Sequence, residues 1–96
     1  MAGIRPEEPM HDNRALSRFE LTERGLTAYA DYRRGPQGLV IAYVYAPPPL
    51  RGTGTADRLM RAVAERARAD GLRIVPLCGY AGAWLRRSPA HRDLIA

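Results

Sequence analysis

The stretch that decides the fold runs from Pro47 to Ala56 and reads Pro-Pro-Pro-Leu-Arg-Gly-Thr-Gly-Thr-Ala. It follows an almost wholly apolar run, Leu39 to Ala46, which is rich in β-branched and aromatic residues. Such a run predicts a central strand that is covered on both faces. The prolines end this strand, because proline has no N–H to donate to a β-ladder. The stretch therefore predicts a loop directly after a buried strand.

The segment after this loop is the clearest helix in the sequence. Gly71 lies where a C-terminal cap is expected. The apolar side chains recur at i, i+3, i+4, i+7, i+8 and i+11 and form one stripe: Ala56, Leu59, Met60, Val63, Ala64 and Ala67. The pattern predicts a helix that packs one face against a sheet.

Short strands are predicted on both sides of this strand–loop–helix unit. Upstream, Phe19 and Leu21 alternate with polar residues, and a second run extends from Leu26 to Arg33. Downstream, Leu72 to Cys78 predicts a fourth strand, and Tyr80 to Arg87 predicts a short last helix. The order β-β-β-α-β-α predicts an α/β (α+β) fold with a mixed sheet, in which the fourth strand runs parallel to the third through a right-handed crossover.

The length leaves room for one domain. The chain has 96 residues, and typical domains have roughly 100–150. Residues 1–12 carry prolines and acids without a hydrophobic period, and we expect a flexible N-terminal arm there. We expect residues 13–96 to form the single domain.

The basic charge suggests an anionic partner. All 15 basic side chains are arginine, against 10 acids, and the formal net charge is +5. Nucleic acid, an acidic surface or a phosphorylated ligand would suit this charge. The alternative is a composition set by a GC-biased genome, since the arginines are spread along the chain rather than clustered.

The remaining composition narrows the class of protein. A lone cysteine, Cys78, excludes an internal disulfide framework and favours a reduced cytoplasm. We expect no membrane segment, because no apolar run approaches the roughly 20 residues that span a bilayer. One cysteine and two distant histidines do not make a metal-ligand set, so no metal is expected.

The chemistry of the loop points to a phosphate or pyrophosphate. At the start of a helix, backbone N–H groups point outward at the positive end of the helix dipole. Gly52 and Gly54 remove side chains that would keep an anion away, and Arg51 adds a cation, with Arg58 and Arg86 as further candidates. The loop is neither a Walker motif nor a dinucleotide fingerprint. A turn that needs glycine only for its geometry is the alternative.

The pattern Arg51-x-x-Gly54-x-Ala56 resembles the signature with which GNAT-superfamily N-acetyltransferases hold the pyrophosphate of coenzyme A. The segments 18–21, 67–78 and 93–95 are similar to the short, single-domain branch of that superfamily. The resemblance implies that strands three and four splay apart around the pantetheine arm, with acetyl-CoA as cosubstrate and an amine as acceptor. Pro76 in the fourth strand agrees with such splaying, although a plain edge strand is the alternative.

The resemblance also implies roles for individual residues. Cys78, and Tyr80 two residues on, become candidate catalytic groups, with ordinary core packing as the alternative for each. The candidate cofactor-binding residues are Tyr45, Ala46, Arg51, Gly52, Thr53, Gly54, Thr55 and Ala56.

Two departures from the pattern keep other functions open. The related short proteins carry a His-Thr pair where this chain has Tyr43-Val44, and a His-Pro-Glu-Tyr segment where it has residues 88–91. His91 is expected to be a surface histidine rather than a replacement base. A catalytically inactive CoA-binding module is therefore the first alternative. A small basic nucleic-acid-binding domain is the second, against which stands the lack of interleaved aromatics, a zinc pattern and helix-turn-helix spacing.

Overall fold

Five strands and two helices are formed by residues 10–96, which are the residues that the computed structural model describes. The elements are β1 (Met10–Asn13), β2 (Arg18–Glu23), β3 (Leu26–Gly35), β4 (Gly38–Tyr45), α1 (Thr55–Ala69), β5 (Ile74–Pro76) and α2 (Gly79–Arg87), with two short 3₁₀ turns, Pro48–Leu50 and Arg92–Leu94. The strands form one sheet in the order β1-β2-β3-β4-β5. Strands β1 to β4 pair with one another in antiparallel fashion, and β5 pairs with β4 in parallel fashion. The predicted α+β fold with a mixed sheet is confirmed.

Strand β1 lies partly inside the segment that we predicted as a flexible arm, residues 1–12. Met10–Asn13 instead pairs antiparallel with β2. Met10 packs against the core, and the Tyr32 hydroxyl donates a hydrogen bond of 2.5 Å to Asp12. The strand is held by main-chain hydrogen bonds and by the carboxylate of Asp12. Neither produces a hydrophobic period in the sequence, so the pattern did not predict this strand. Residues 1–9 of the predicted arm lie outside the described part of the chain.

Strand β4 is open to solvent on one face over its second half, which corrects the prediction that both faces are covered. Tyr32 lies opposite Ile41, but Asp31 lies opposite Tyr43, so Ala42 is an extra residue in β4. This β-bulge bends the strand and resets its alternation. Ile41 is fully buried, whereas Tyr43 is 50% exposed.

Helix α1 packs on the sheet through the predicted stripe. Thr55 takes the fully buried position expected for Ala56, which is half-buried. Gly71 has a φ of 69°, and the Leu72 N–H bonds the Ala67 carbonyl at 2.8 Å, which confirms the predicted cap. The core between the two layers comprises Phe19, Leu21, Ala28, Ala30, Leu39 and Ile41 from the sheet and Leu59, Met60, Val63, Ala64 and Ala67 from the helix.

Strands β4 and β5 pair over three residues and then part. The last pair is Ile41 with Pro76, followed by one hydrogen bond of 3.0 Å from the Leu77 N–H to the Ile41 carbonyl. Strand β4 continues to Tyr45, where it still pairs with β3. Strand β5 is thus shorter than the predicted 72–78, because proline ends the ladder. The strands splay as the resemblance implies.

The start of α1 is joined to the end of β2 by a polar cluster. Arg58 donates from Nε (2.8 Å) and Nη2 (2.7 Å) to the two carboxylate oxygens of Glu23, and the Thr55 hydroxyl donates to the same carboxylate at 2.5 Å. The hydrogen bonds from Arg58, and then from Thr55, lower the pKa of Glu23 to about 2. Glu23, Thr55 and Arg58 are called the helix-start cluster below.

Helix α2 and the last turn are tied to α1 by further long-range contacts. The Trp84 indole N–H donates to Asp57 at 2.7 Å. His91, predicted at the surface, is only 7% exposed, because its ring lies between Ser88 (2.8 Å) and Glu65 (2.6 Å). No helix within residues 10–96 is long and apolar enough to cross a membrane.

Replacing Gly38 with alanine is expected to destabilise the fold by about 2–4 kcal/mol. Gly38 has a φ of 138°, and a Cβ there would lie 2.3 Å from the backbone oxygen of Arg73. Urea unfolding measures the loss. Gly25→Ala is the matched control, since Gly25 also has a positive φ (75°) but has no atom within 4 Å of an added Cβ. A loss no larger than that of the control would contradict the assignment of strain to the Arg73 contact.

Replacing Glu23 with glutamine is expected to cost about 1–2 kcal/mol at neutral pH. The folded pKa is about 2, below the ordinary value near 4.3. The carboxylate therefore contributes its full stability above about pH 5 and loses it as the pH falls toward 2. Urea unfolding of both proteins from pH 7 to pH 3 should show a difference that shrinks with acidity.

The variant Arg58→Gln removes the partner and should give the same pH-dependent difference from the unmodified protein. A difference between Glu23→Gln and the unmodified protein that stays constant from pH 7 to pH 3 would refute the role of the carboxylate charge.

Candidate functional site

The loop between β4 and α1 is compact and fixed by backbone geometry. After the 3₁₀ turn, Gly52 and Gly54 adopt left-handed conformations with φ of 79° and 88°. The Thr53 N–H donates to the Leu50 carbonyl at 3.2 Å. Gly54 is the N-cap residue of α1, and a Cβ there would lie 2.8 Å from Nη1 of Arg58. The left-handed φ favours glycine at this position, and a Cβ would displace the guanidinium of Arg58, which is the end of a flexible side chain.

The start of α1 presents backbone donors rather than side chains. The first N–H groups of an α-helix have no intrahelical acceptor, and Gly54 offers no side-chain cap. The hydroxyl of Thr53 donates to the Leu50 carbonyl at 2.5 Å, and that of Thr55 donates to Glu23. Both hydroxyls are thus used inside the protein. Thr55 and Ala56 can contribute to an anion site through their main-chain N–H groups, whereas the N–H of Thr53 is already bonded to the Leu50 carbonyl.

Arg51 brings the loop and the end of β4 together. Its Nε donates to the Ala46 carbonyl at 2.8 Å, and its Cζ lies 5.6 Å from the centre of the Tyr45 ring. Three of the predicted cofactor-binding residues, Tyr45, Ala46 and Arg51, are therefore neighbours. The side chain of Arg51 is exposed, so its terminal guanidinium nitrogens face solvent beside the loop.

The other two arginines that we considered for this site have different surroundings. Arg58 is held by Glu23 and also donates to the Thr53 carbonyl at 3.1 Å. Its charge is therefore offset by a carboxylate within the helix-start cluster. Arg86 lies over Gly82 on α2, with Nη1 3.2 Å from the place that a Cβ of Gly82 would occupy.

The two candidate catalytic residues lie where the strands have parted. Cys78 is the half-buried N-cap residue of α2, and the residue before it makes the last hydrogen bond to β4. Tyr80 lies in the first turn of α2 and is 38% exposed. Burial, and then the charge of Asp57, raise the pKa of Tyr80 above its ordinary value of 10. Tyr80 is therefore protonated throughout the physiological range.

Sequence reasoning missed two carboxylates at this end of α1. Glu23 belongs to the helix-start cluster, and Asp57 accepts hydrogen bonds from Trp84 and from Arg61 (2.7 Å). The hydrogen bond from Trp84 is the largest effect that lowers the pKa of Asp57. Asp57 thus links α2 to the first turn of α1. The Arg61 pair at i+4 was visible in the sequence, but the partners of Glu23 and the Trp84 contact lie 27 to 35 residues apart and leave no local signal.

The positions that depart from the family pattern differ in their surroundings. Tyr43 lies on the open face of the sheet, and Val44 packs against the core. His91 is buried between Ser88 and Glu65. Within residues 10–96, no three His, Cys, Asp or Glu side chains are grouped so that they could hold a metal ion. The donors at the start of α1 instead suit an anion, because they are backbone N–H groups and a guanidinium.

A comparison with protein families agrees with this geometry. The family described as GCN5-related N-acetyl-transferase matches residues 18–94, from the first residue of β2 to the end of the last 3₁₀ turn. No curated protein matches the chain. The matched span includes the loop, the splayed strands and both helices, and it covers well over half of the sequence. The chain therefore belongs to the GCN5-related N-acetyltransferase family.

Proposed function

We propose that this protein binds acetyl-CoA at the loop 51–56 and transfers the acetyl group to an amine. The observation that carries the proposal is the start of α1, where a left-handed glycine leaves the backbone donors uncapped beside an exposed arginine. Acetyl-CoA supplies an acetyl group activated as a thioester. A reduced cytoplasm, where Cys78 stays a thiol, is the compartment that we propose for this activity.

The phosphates of the cofactor are assigned to the loop. The N–H groups of Gly54, Thr55 and Ala56 point outward at the positive end of the helix, where an anion is stabilised by roughly 0.3–1 kcal/mol or more. Arg51, which lies in the loop and is held by the Ala46 carbonyl, would add a charge-assisted contact to the phosphates. The helix-start cluster supports this proposal, because it holds Thr55 and Arg58 in place without using any of these backbone donors.

The pantetheine arm is assigned to the free edge of β4. Beyond Ile41 this strand has no β5 partner on one side, while β3 still pairs with it on the other side as far as Tyr45. An extended chain of amides can hydrogen-bond such an edge in the manner of an added strand. Tyr45 and Ala46 supply backbone groups at the end nearest the loop. This direction would carry the thioester toward Cys78 and Tyr80.

Tyr80 is the group that we assign as proton donor to the departing thiolate. Its raised pKa keeps the phenol protonated, and its partial exposure lets the hydroxyl reach a bound molecule. Cys78 is assigned to the wall beside the thioester. The acceptor amine must arrive neutral, because only its lone pair can attack the acetyl carbon.

An inactive CoA-binding module is the second candidate function. The observation that favours it is the burial of His91, which removes this imidazole from service as a base. Release of free thiol from acetyl-CoA in the presence of a panel of polyamines and peptides distinguishes the two. Acceptor-dependent release supports the transferase, and binding without release supports the module.

Acetyl-CoA binding is expected with a Kd in the micromolar range or tighter, and Gly54→Val should weaken it at least about tenfold. The substituted side chain would lie against Arg58 and force a β-branched residue to a φ of 88°. Arg51→Gln should weaken binding about 5- to 20-fold through loss of one charge-assisted contact. Calorimetry measures both effects.

The controls for binding are Gly71→Val, at the left-handed residue beyond the other end of α1, and Arg33→Gln, at an exposed arginine of the β3–β4 hairpin. Both should leave the Kd within about twofold. Absence of heat and of a thermal shift with acetyl-CoA would overturn the proposal.

Tyr80→Phe is expected to lower kcat by about 10²-fold, a typical contribution of a general acid. The Kd for acetyl-CoA should change less than twofold, because the hydroxyl is assigned to the leaving group alone. Cys78→Ala is the comparison and should lower kcat less than tenfold. Stopped-flow thiol release together with calorimetry makes the measurement. A larger effect at Cys78 than at Tyr80 would reverse the assignment of the donor.

A further inference from the structure

Ser88, His91 and Glu65 form a hydrogen-bonded chain that the proposed acetyl transfer does not use. The Ser88 hydroxyl oxygen lies 2.8 Å from Nδ1 of His91, and Nε2 of the same ring lies 2.6 Å from a carboxylate oxygen of Glu65. The imidazole lies against the indole of Trp84, with 5.4 Å between the ring centres. Ser88 caps the end of α2, and Glu65 belongs to α1. These three residues are called the Ser-His-Glu triad below.

The hydrogen bonds of the triad determine which ring nitrogen carries the proton. A carboxylate can only accept, so Nε2 of His91 must donate to Glu65. In the neutral ring Nδ1 is then unprotonated, and it accepts from the Ser88 hydroxyl. The two ring nitrogens exchange the places that they have in serine proteases, but each role is filled. A serine that donates to a base oriented by a carboxylate is the arrangement that activates a nucleophile.

The turn that carries the triad is held without the Ser88 side chain. The Ser88 carbonyl accepts the N–H groups of His91 at 3.0 Å and of Arg92 at 2.9 Å. Arg68 on α1 donates to the Ala90 carbonyl at 2.7 Å. Main-chain bonds and an arginine therefore fix this turn, and the hydroxyl is available for chemistry.

Ser88 lies in the wall of a cleft between α1 and the end of α2. The volume of the cleft is about 280 Å³, which gives room for a small ester, and its lining residues are Asp57, Arg61, Trp84, Arg87, Ser88 and Pro89. His91 is 7% exposed and is not among the lining residues. A molecule in the cleft thus lies beside Ser88, while the base is shielded from solvent. This burial keeps His91 from an acceptor amine but not from the serine that it already contacts.

We propose that the Ser-His-Glu triad makes Ser88 the nucleophile of an esterase site for small carboxylic esters that carry an anionic group. The lining residues include two arginines and one carboxylate, which favours the anionic group. The same arginines are the groups that can offset the negative charge that develops on the carbonyl oxygen. This activity is separate from the acetyl transfer proposed at the loop 51–56 and needs no CoA.

The reaction has two steps and consumes one water. In the first, the Ser88 oxygen forms a bond to the ester carbonyl carbon, and its proton moves to Nδ1 of His91. The bond to the leaving alkoxide breaks, and the alcohol departs with that proton. In the second, water attacks the acyl-serine and gives a proton to Nδ1, which returns it to the Ser88 oxygen as the acid leaves. Glu65 stabilises the imidazolium in both steps.

Labelling of the full chain with a fluorophosphonate tests the nucleophile, because this reagent reacts with serines that a base activates. The other serine of the chain, Ser17, is an internal control, since it is exposed whereas Ser88 is half-buried. Exposure alone would favour Ser17. Peptide mass spectrometry should instead find labelling about 10²-fold faster at Ser88, a typical effect of a general base. No label at Ser88, or a rate no greater than at Ser17, would overturn the proposal.

Hydrolysis of p-nitrophenyl acetate and of the p-nitrophenyl monoester of succinate measures the activity. The succinate ester should react about tenfold faster through one charge-assisted contact, and Arg87→Gln should reduce that preference. Ser88→Ala should abolish the enzyme-dependent rate of both esters, whereas Ser17→Ala should leave the rates within about twofold. Labelling at Ser88 without hydrolysis of either ester would contradict the esterase activity.

Glu65 is a positioning residue, and its variants keep the test independent of folding. Its side chain is 60% exposed, so Glu65→Ala should unfold in urea at nearly the same midpoint as the unmodified protein. That variant should lower the labelling rate at Ser88 about 10²-fold, and Glu65→Gln, which keeps an acceptor for Nε2, should lower it less. An unchanged rate in Glu65→Ala would refute the triad. Calorimetry with acetyl-CoA is a separate measurement, so a failure of either proposal leaves the other standing.

Discussion

The hydrogen bonds between Glu23 and the start of α1 are the contact on which the site depends. A carboxylate at the end of β2 accepts from both Thr55 and Arg58, across 32 and 35 residues of sequence. It fixes the first turn of the helix against the sheet and holds Arg58 over the left-handed Gly54. An acid near the proposed anion site would be unfavourable by itself. Here its charge is offset by Arg58, so the backbone donors remain available without a net negative field.

The second requirement is that two neighbouring strands stop pairing at a defined residue. Pro76 ends β5, and the bulge at Ala42 begins directly after the last paired residue of β4. Proline removes a donor from one strand, and the bulge turns the other strand away. The gap between β4 and β5, called the wedge below, therefore results from a feature of each strand. The Asp57–Trp84 hydrogen bond joins the two helices.

The sequence predicted those parts of the structure that depend on residues close together in the chain. The stripe of α1, its cap at Gly71 and the end of β4 before Pro47 follow from periodicity and from the backbone limits of glycine and proline. The glycines and Arg51 likewise pointed to the loop. These features depend on residues a few positions apart, and a single sequence contains that information.

Long-range contacts were not predictable in the same way. The short strand β1 has no apolar period, and the burial of His91 depends on Glu65, which lies 26 residues away. The bulge at Ala42 breaks the alternation that pattern reasoning uses, so the exposed face of β4 was assigned incorrectly. Arg58 was a candidate cation for the loop, and the sequence did not reveal that its charge is offset by Glu23 on another element. Each of these errors concerns a pair of residues that only the folded chain brings together.

The bulge at Ala42 also means that the number of residues in β4, rather than the identity of its side chains, determines the width of the wedge. Its neighbours Ile41 and Tyr43 already lie opposite consecutive residues of β3. Removing one residue here would leave every cross-strand partner in place and straighten the strand toward β5. A single-residue deletion at this point is therefore expected to keep the β3 partners of β4 and to narrow the gap from the β4 side, while Pro76 still ends the ladder on the β5 side. The proposed groove for the pantetheine arm thus depends on the presence of one inserted residue rather than on the identity of its side chain.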